Sequence, residues 1–206
     1  MKLIGSKIVL TAAVLVIAFS TTGRTQDLQA KIEFCNDCHG LSGQGYRGYL
    51  SIPRLAGQPT EYFENQLRAF AEHRRQSKMM YDVARTLNPG MRRALAAHFR
   101  DLNPRPLGGA PKGLVETGKK IYEEGIPESN VPACMACHGQ EGKGQEAIPR
   151  LAGQLHEYII DKLVNWSSVR GRDSAKADTT TVMAATSHAM TRPQIAAVAA
   201  YVSYQH

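Results

Sequence analysis

Aromatic side chains are scarce in this 206-residue chain, at 7% of the total with a single tryptophan, Trp166. Folded as two domains of about 80–100 residues, such a sequence has a thin core in each, because small domains bury a smaller share of their surface. A bound apolar group would supply the missing bulk. Long apolar runs are also lacking. The one run of note, Ile8 to Phe19, is shorter than the roughly 20 residues that cross a bilayer. No stretch of Lys and Arg with interleaved aromatics occurs, which argues against nucleic acid as a partner. Sustained apolar/polar alternation is missing too, so strands should be few or absent. Cysteine is limited to four residues.

What is present begins with a targeting pattern. Lys2 and Lys7 precede the apolar run, and Ala18-Phe19-Ser20 provides a small-x-small cleavage site. Residues 1–20 therefore read as a signal peptide, with an uncleaved anchor as the rival reading. The mature chain is expected in the periplasm of a bacterium. Loss of the two leader lysines lowers the formal charge from +7 to +5. Residues 21–104 carry 12 basic and 8 acidic side chains, residues 105–206 carry 11 and 10. A modest basic excess in the first half suits an acidic protein partner or peripheral contact with a membrane surface.

The chain repeats itself. Cys35-Asn-Asp-Cys38-His39-Gly40 returns as Cys134-Met-Ala-Cys137-His138-Gly139, and Ile52-Pro53-Arg54-Leu55-Ala56-Gly57-Gln58 returns unchanged as residues 148–154. Tyr62, Leu67 and Phe70 map onto Tyr158, Leu163 and Trp166; Met80, Leu87 and Phe99 map onto Met183, Met190 and Val202. A tandem duplication is the reading. Asn103-Pro-Arg-Pro-Leu-Gly-Gly-Ala-Pro111 tolerates neither helix nor strand, which places domain 1 at 21–104 and domain 2 at 105–206. Each half reads as helix, motif, loop, helix, loop, helix. Phe63, Leu67 and Phe70 share a face, Asn88-Pro89 starts a capped helix, and Thr191-Arg-Pro-Gln194 has capping-box spacing.

Cys-x-x-Cys-His places two thiols where they can add to the vinyl groups of a porphyrin, with the next histidine aimed at its iron. The motif thus predicts c-type haem attachment at Cys35, Cys38 and His39, and again at Cys134, Cys137 and His138. A structural zinc site competes, but its two Cys pairs usually lie a few tens of residues apart, and here the gap is 95 residues. A thioredoxin-like pair would need βαβ patterning, which is missing; two disulfides would not explain a histidine after both pairs. A sixth ligand is expected from methionine. Met183 fits in the second half, in a loop ahead of the last helix. In the first half Met79 and Met80 compete, and register favours Met80, which precedes Leu87 as Met183 precedes Met190. The carbonyls of Pro53 and Pro149 are candidate acceptors for the other histidine nitrogen. Arg54 and Arg150 could pair with haem propionates or sit as solvated loop residues. His73, His98, His156, His188 and His206 read as ordinary polar residues.

Taken together, the two Cys-x-x-Cys-His-Gly motifs, each followed by Ile-Pro-Arg-Leu-Ala-Gly-Gln, a late methionine and an Ala-rich last helix, resemble the dihaem c4-type cytochromes over residues 28–206. The resemblance implies an all-α fold of two tandem class I cytochrome c domains related by a pseudo-twofold, and two covalently bound haem c groups with propionates near the interface. It also implies His/Met ligation by His39, Met80, His138 and Met183, and no catalytic residues. The expected role is that of a monomeric electron carrier, taking electrons from a cytochrome bc-type donor toward a terminal oxidase. Alternatives are a dihaem subunit of a dehydrogenase, such as a flavocytochrome c sulfide dehydrogenase, and a dihaem peroxidase. One departure stands out: the family's glycine at the crossing of first and last helices is kept as Gly118, while Leu28 takes the corresponding place in the first half.

Overall fold

The computed structural model describes residues 27–170 and 179–206; the leader at 1–20 lies outside them. The first half holds α1 (27–39), a two-residue hairpin β1 (Tyr46–Arg47) and β2 (Ser51–Ile52), and three further helices, α2 (Thr60–Ala71), α3 (Lys78–Ala84) and α4 (Pro89–Arg100). The second half holds α5 (Val115–Glu124), α6 (Met135–His138), α7 (His156–Val164), α8 (Trp166–Val169), α9 (Thr179–Ala189) and α10 (Arg192–Tyr204). The hairpin, with Tyr46 opposite Ile52, is the only regular sheet among the described residues.

Each half packs its own core. In the first, the expected α2 face of Phe63, Leu67 and Phe70 is buried against Ile32, Ala84, Leu87, Leu95 and Phe99. In the second, Ile159, Met190, Ile195, Val198 and Val202 pack against Ile121 and Tyr122. Repeat mates share a fate: Leu87 and Met190 are both buried, as are Phe99 and Val202. The terminal helices begin as their sequences demand. The Asn88 side chain accepts from Met91 N at 2.8 Å with Pro89 at N1. Thr191 and Gln194 close a reciprocal capping box, which satisfies two otherwise orphaned amides.

Two details differ from expectation. Met80 and Met183 sit on helices, α3 and α9, and not in polar loops. Ser77 caps α3 by accepting from Met80 N at 3.3 Å, and Ala-rich sequence favours helix in α9. The second difference concerns the first helix. Leu28 stands seven residues before Cys35, but Gly118 stands sixteen before Cys134. The second half accommodates the difference in an excursion after α5, where a single helical turn at Pro127–Ser129 is closed by the bridge of Ile126 to Val131.

Gly118 lies where α5 crosses α10. A Cβ there would fall 2.0 Å from Ala197 O and 2.9 Å from Tyr201 Cβ, contacts that backbone cannot relieve without parting the helices. Gly118→Ala should therefore destabilise the second half by about 2–3 kcal/mol, at the upper end of overpacking costs. Thermal unfolding followed by far-UV circular dichroism would read this, and an unchanged midpoint would contradict the close crossing.

Candidate haem sites

The two motifs end helices in the same way. Gly40 (φ 84°) and Gly139 (φ 80°) turn the chain sharply after His39 and His138, a conformation that suits glycine at a helix C-terminus. Matching hydrogen bonds then fold the following loop back. Gly45 N donates to His39 O at 2.8 Å, and Gly144 N to His138 O at 2.9 Å. Gly43 O accepts from Leu55 N and Ala56 N, as Gly142 O accepts from Leu151 N and Ala152 N.

This loop carries the proline carbonyl to the histidine. His39 Nδ1 lies 2.8 Å from Pro53 O and His138 Nδ1 lies 2.9 Å from Pro149 O. A carbonyl can only accept, so Nδ1 carries the proton and Nε2 keeps its lone pair for a metal. Burial holds both imidazoles below their ordinary basicity, while the carbonyl contact acts the other way. Burial also pushes the Cys35 and Cys134 thiols up to about 11, whereas Cys38 and Cys137 are exposed.

All eight candidate residues, Cys35, Cys38, His39 and Met80 with Cys134, Cys137, His138 and Met183, line one cavity of about 1540 Å³. Single-ligand pockets reach about 1000 Å³, so the space suits more than one ligand. The two first-half methionines differ. Met79 is 56% exposed, whereas Met80 packs against the first core. No group of three or more His, Cys, Asp or Glu among the described residues could hold a metal, so the thiols are not gathered as a zinc site requires. The donor set fits haem c: in each half two thiols stand beside an imidazole held by its far nitrogen, and all of them line the same cavity.

Arg54 and Arg150 are not solvated loop residues. They are 1% and 5% exposed and belong to a joint that the sequence did not reveal. Arg54 N donates to Gln154 Oε1 at 2.8 Å and Gln154 Nε2 donates to Arg54 O at 3.0 Å. The mirror pair joins Arg150 and Gln58, with Arg150 N to Gln58 Oε1 at 3.1 Å and Gln58 Nε2 to Arg150 O at 2.9 Å. Asn103 Oδ1 accepts from both guanidiniums, at 3.2 Å from Arg54 and 3.1 Å from Arg150. One linker atom thus marks the pseudo-twofold. Desolvation, with the nearby Arg150 charge, pulls Arg54 down to about 10. Among the other histidines, His156 departs from expectation: it is buried and its Nε2 meets Ala196 O at 3.2 Å, tying α7 to α10.

Comparison with known proteins now decides the family. The cytochrome c family model matches residues 115–205. Cytochrome c4 of Thiocapsa roseopersicina is 33% identical over 171 residues, covering 82% of this chain and 85% of that protein. The chain belongs to the dihaem cytochromes c4. A cytochrome c-552 of Acidithiobacillus ferridurans is 39% identical over 63% of this chain, a match spanning only 58% of that protein. A thiosulfate dehydrogenase electron acceptor of Thiomonas intermedia is 33% identical over 83% of this chain and 78% of its own length. Among solved structures, cytochrome c4 of Acidithiobacillus ferrooxidans superposes with a TM-score of 0.70 at 35% identity, covering 82% of this chain and 98% of that one. A thiosulfate dehydrogenase of Marichromatium purpuratum gives 0.72 at 30% identity, over 84% of this chain and 36% of that one. The fold is accordingly that of two class I cytochrome c domains, and this cytochrome c4 carries two covalently bound haem c groups. It is an electron carrier and not an enzyme.

Proposed function

We propose that this cytochrome c4 is an exported, periplasmic shuttle between respiratory complexes, carrying electrons from a cytochrome bc-type donor toward a terminal oxidase. Residues 1–20 act as its leader, and its domains meet between residues 104 and 105. His39 and Met80 ligate the first iron, His138 and Met183 the second, with attachment through Cys35, Cys38, Cys134 and Cys137. The observation that carries this reading is the commitment of each Nδ1 to a proline carbonyl, which leaves Nε2 as the nitrogen available to iron. Haem would supply a one-electron iron couple, and ligation by a methionine thioether together with an imidazole would hold that couple at the higher potential suited to transfer. The chain orients each imidazole through its proline carbonyl, keeps water from the buried rings and leaves Cys38 and Cys137 exposed.

Met80→Ala should abolish the methionine–iron charge-transfer band of one haem and leave the other, while Met79→Ala should leave both. An exchange of roles between the two variants would assign the ligand to Met79 instead. A second reading has the carrier serving a dehydrogenase directly, as a dihaem partner of a sulfide- or thiosulfate-oxidising enzyme. Its support is the likeness to the Thiomonas electron acceptor and to the Marichromatium dehydrogenase. Co-purification with such an enzyme would favour it; a monodisperse protein absorbing through haem alone would favour the free shuttle.

A further inference from the structure

The joint between the halves reaches the candidate iron ligands through one peptide group on each side. The Pro53 carbonyl that receives His39 Nδ1–H shares its peptide plane with Arg54 N–H, and that N–H donates to Gln154 Oε1 of the other half at 2.8 Å. The Pro149 carbonyl that receives His138 Nδ1–H shares its plane with Arg150 N–H, which donates to Gln58 Oε1 at 3.1 Å. Each glutamine completes the pairing from Nε2, which donates to Arg54 O at 3.0 Å or to Arg150 O at 2.9 Å. A backbone N–H only donates and a carbonyl only accepts, so the orientation of both side-chain amides is fixed. Leu155 N also donates to Gln154 Oε1 at 3.0 Å and holds it from its own backbone. Gln58 is followed by Pro59, which has no N–H to give.

Both relays are buried from end to end: His39, Arg54 and Gln154 on one side, His138, Arg150 and Gln58 on the other. In such surroundings hydrogen bonds in a chain polarise one another, by about 10–30% per bond. A peptide whose N–H is donating becomes a better acceptor at its C=O. The imidazole bonded there gains electron density and becomes a stronger ligand at Nε2. Stronger donation favours the oxidised iron. The chain of bonds crosses the joint, so the glutamine acting on His39 belongs to the second half and the one acting on His138 to the first.

We infer that Gln58 and Gln154 are positioning residues that tune the haems across the joint, each half's glutamine lowering the potential of the other half's iron through a proline–arginine peptide. The inference rests on the histidine ligation proposed above. It gives the joint a role beyond holding the halves together. Parting the halves would release both imidazoles from this polarisation at once, and both irons would become stronger oxidants.

Nuclear magnetic resonance of the purified holoprotein tests this, after haem content and the methionine–iron bands have been recorded. One haem or a missing band in the wild type would sink the ligation reading, and the relay with it, before any variant is compared. In the reduced protein the His39 and His138 ring N–H protons are followed separately, and a redox titration follows each haem by its own signals. Gln154→Leu changes no charge. It should move the His39 ring N–H resonance to lower frequency and raise the first haem's reduced-to-oxidised ratio at fixed potential about threefold. That is about 28 mV, at 59 mV per tenfold for a one-electron couple. The second haem should respond less than half as much. Gln58→Leu should exchange the responses of the two haems. Gln154→Glu keeps an acceptor for Arg54 N–H and makes it stronger, so the His39 resonance should move to higher frequency; this variant decides the matter should the leucine variants fail to mature. Equal responses of both haems, or a larger response in the substituted half's own haem, would reduce the glutamines to a structural clasp and overturn the proposal. So would a fall in the first haem's potential in Gln154→Leu, the sign expected when water enters a loosened joint, or a His39 resonance that Gln154→Glu leaves in place.

Discussion

With Cys134 and Cys137 both changed to serine, the purified chain should contain one haem instead of two, and its second half should no longer fold. Serine hydroxyls do not add to vinyl groups under the conditions that thiols do, so the attachment is lost while side-chain volume is nearly kept. The consequences for packing are large. Cys134 borders the second core, and the cavity it lines is far larger than any void a close-packed interior tolerates. At about 24 cal/mol per Å³ of cavity, several hundred Å³ without a ligand corresponds to at most on the order of 10 kcal/mol. A single domain has about 5–15 kcal/mol of stability in total. The first half, whose core of Ile32, Phe63, Phe70 and Phe99 is separate, should retain its haem and its structure. Intact mass and haem absorbance per chain read the first part, and amide exchange resolved by half reads the second. Two haems per chain in this variant would restore the disulfide reading of the cysteine pairs.

That asymmetry between local motif and long-range joint also explains what could be read from the sequence. Cys-x-x-Cys-His is local chemistry, and so are the caps at Asn88 and Thr191; spacing alone is enough to state them. The Pro53 and Pro149 carbonyls were legible for a related reason: a ligating histidine needs an acceptor, and the repeated loop offers a rigid one. The duplication also made the pairing of Leu87 with Met190 legible, since both are buried, and the same register is the ground on which Met80 is proposed as a ligand. The helical setting of Met80 and Met183 was not legible; for Met80, whether the short segment is loop or helix depends on the Ser77 hydroxyl accepting from Met80 N. Nor was the burial of Arg54, Arg150, Arg75 and His156. An isolated arginine in a polar loop defaults to solvent, and only the meeting of two halves, separated by about a hundred positions, gives it neutral partners inside. The glutamines Gln58 and Gln154 carried the hint: identical in both repeats, amphoteric, and able to bond a backbone on each side.

Asn103→Leu should open the joint between the halves and raise proteolytic cleavage of residues 104–111 by about a hundredfold or more. The side chain sits in the linker, yet its single oxygen receives both buried guanidiniums. Hydrogen bonds to charged groups contribute about 1.5–3 kcal/mol each, and leucine removes two while leaving the cations buried without that acceptor. A loss of about 3 kcal/mol is the lower expectation, which at 1.4 kcal/mol per tenfold raises the open population more than a hundredfold. By contrast, the partly exposed pair of Arg47 with Glu157, 3.3 Å apart and also spanning the halves, should contribute no more than about 1 kcal/mol. Glu157→Gln therefore serves as the control and should leave cleavage within about fivefold of wild type. Asn103→Asp separates geometry from charge. It keeps an acceptor for both arginines and adds a countercharge to two like cations, so it should protect the linker at least as well as asparagine. Cleavage in the aspartate variant as fast as in the leucine variant would show that the amide, and not its shared oxygen, holds the halves together.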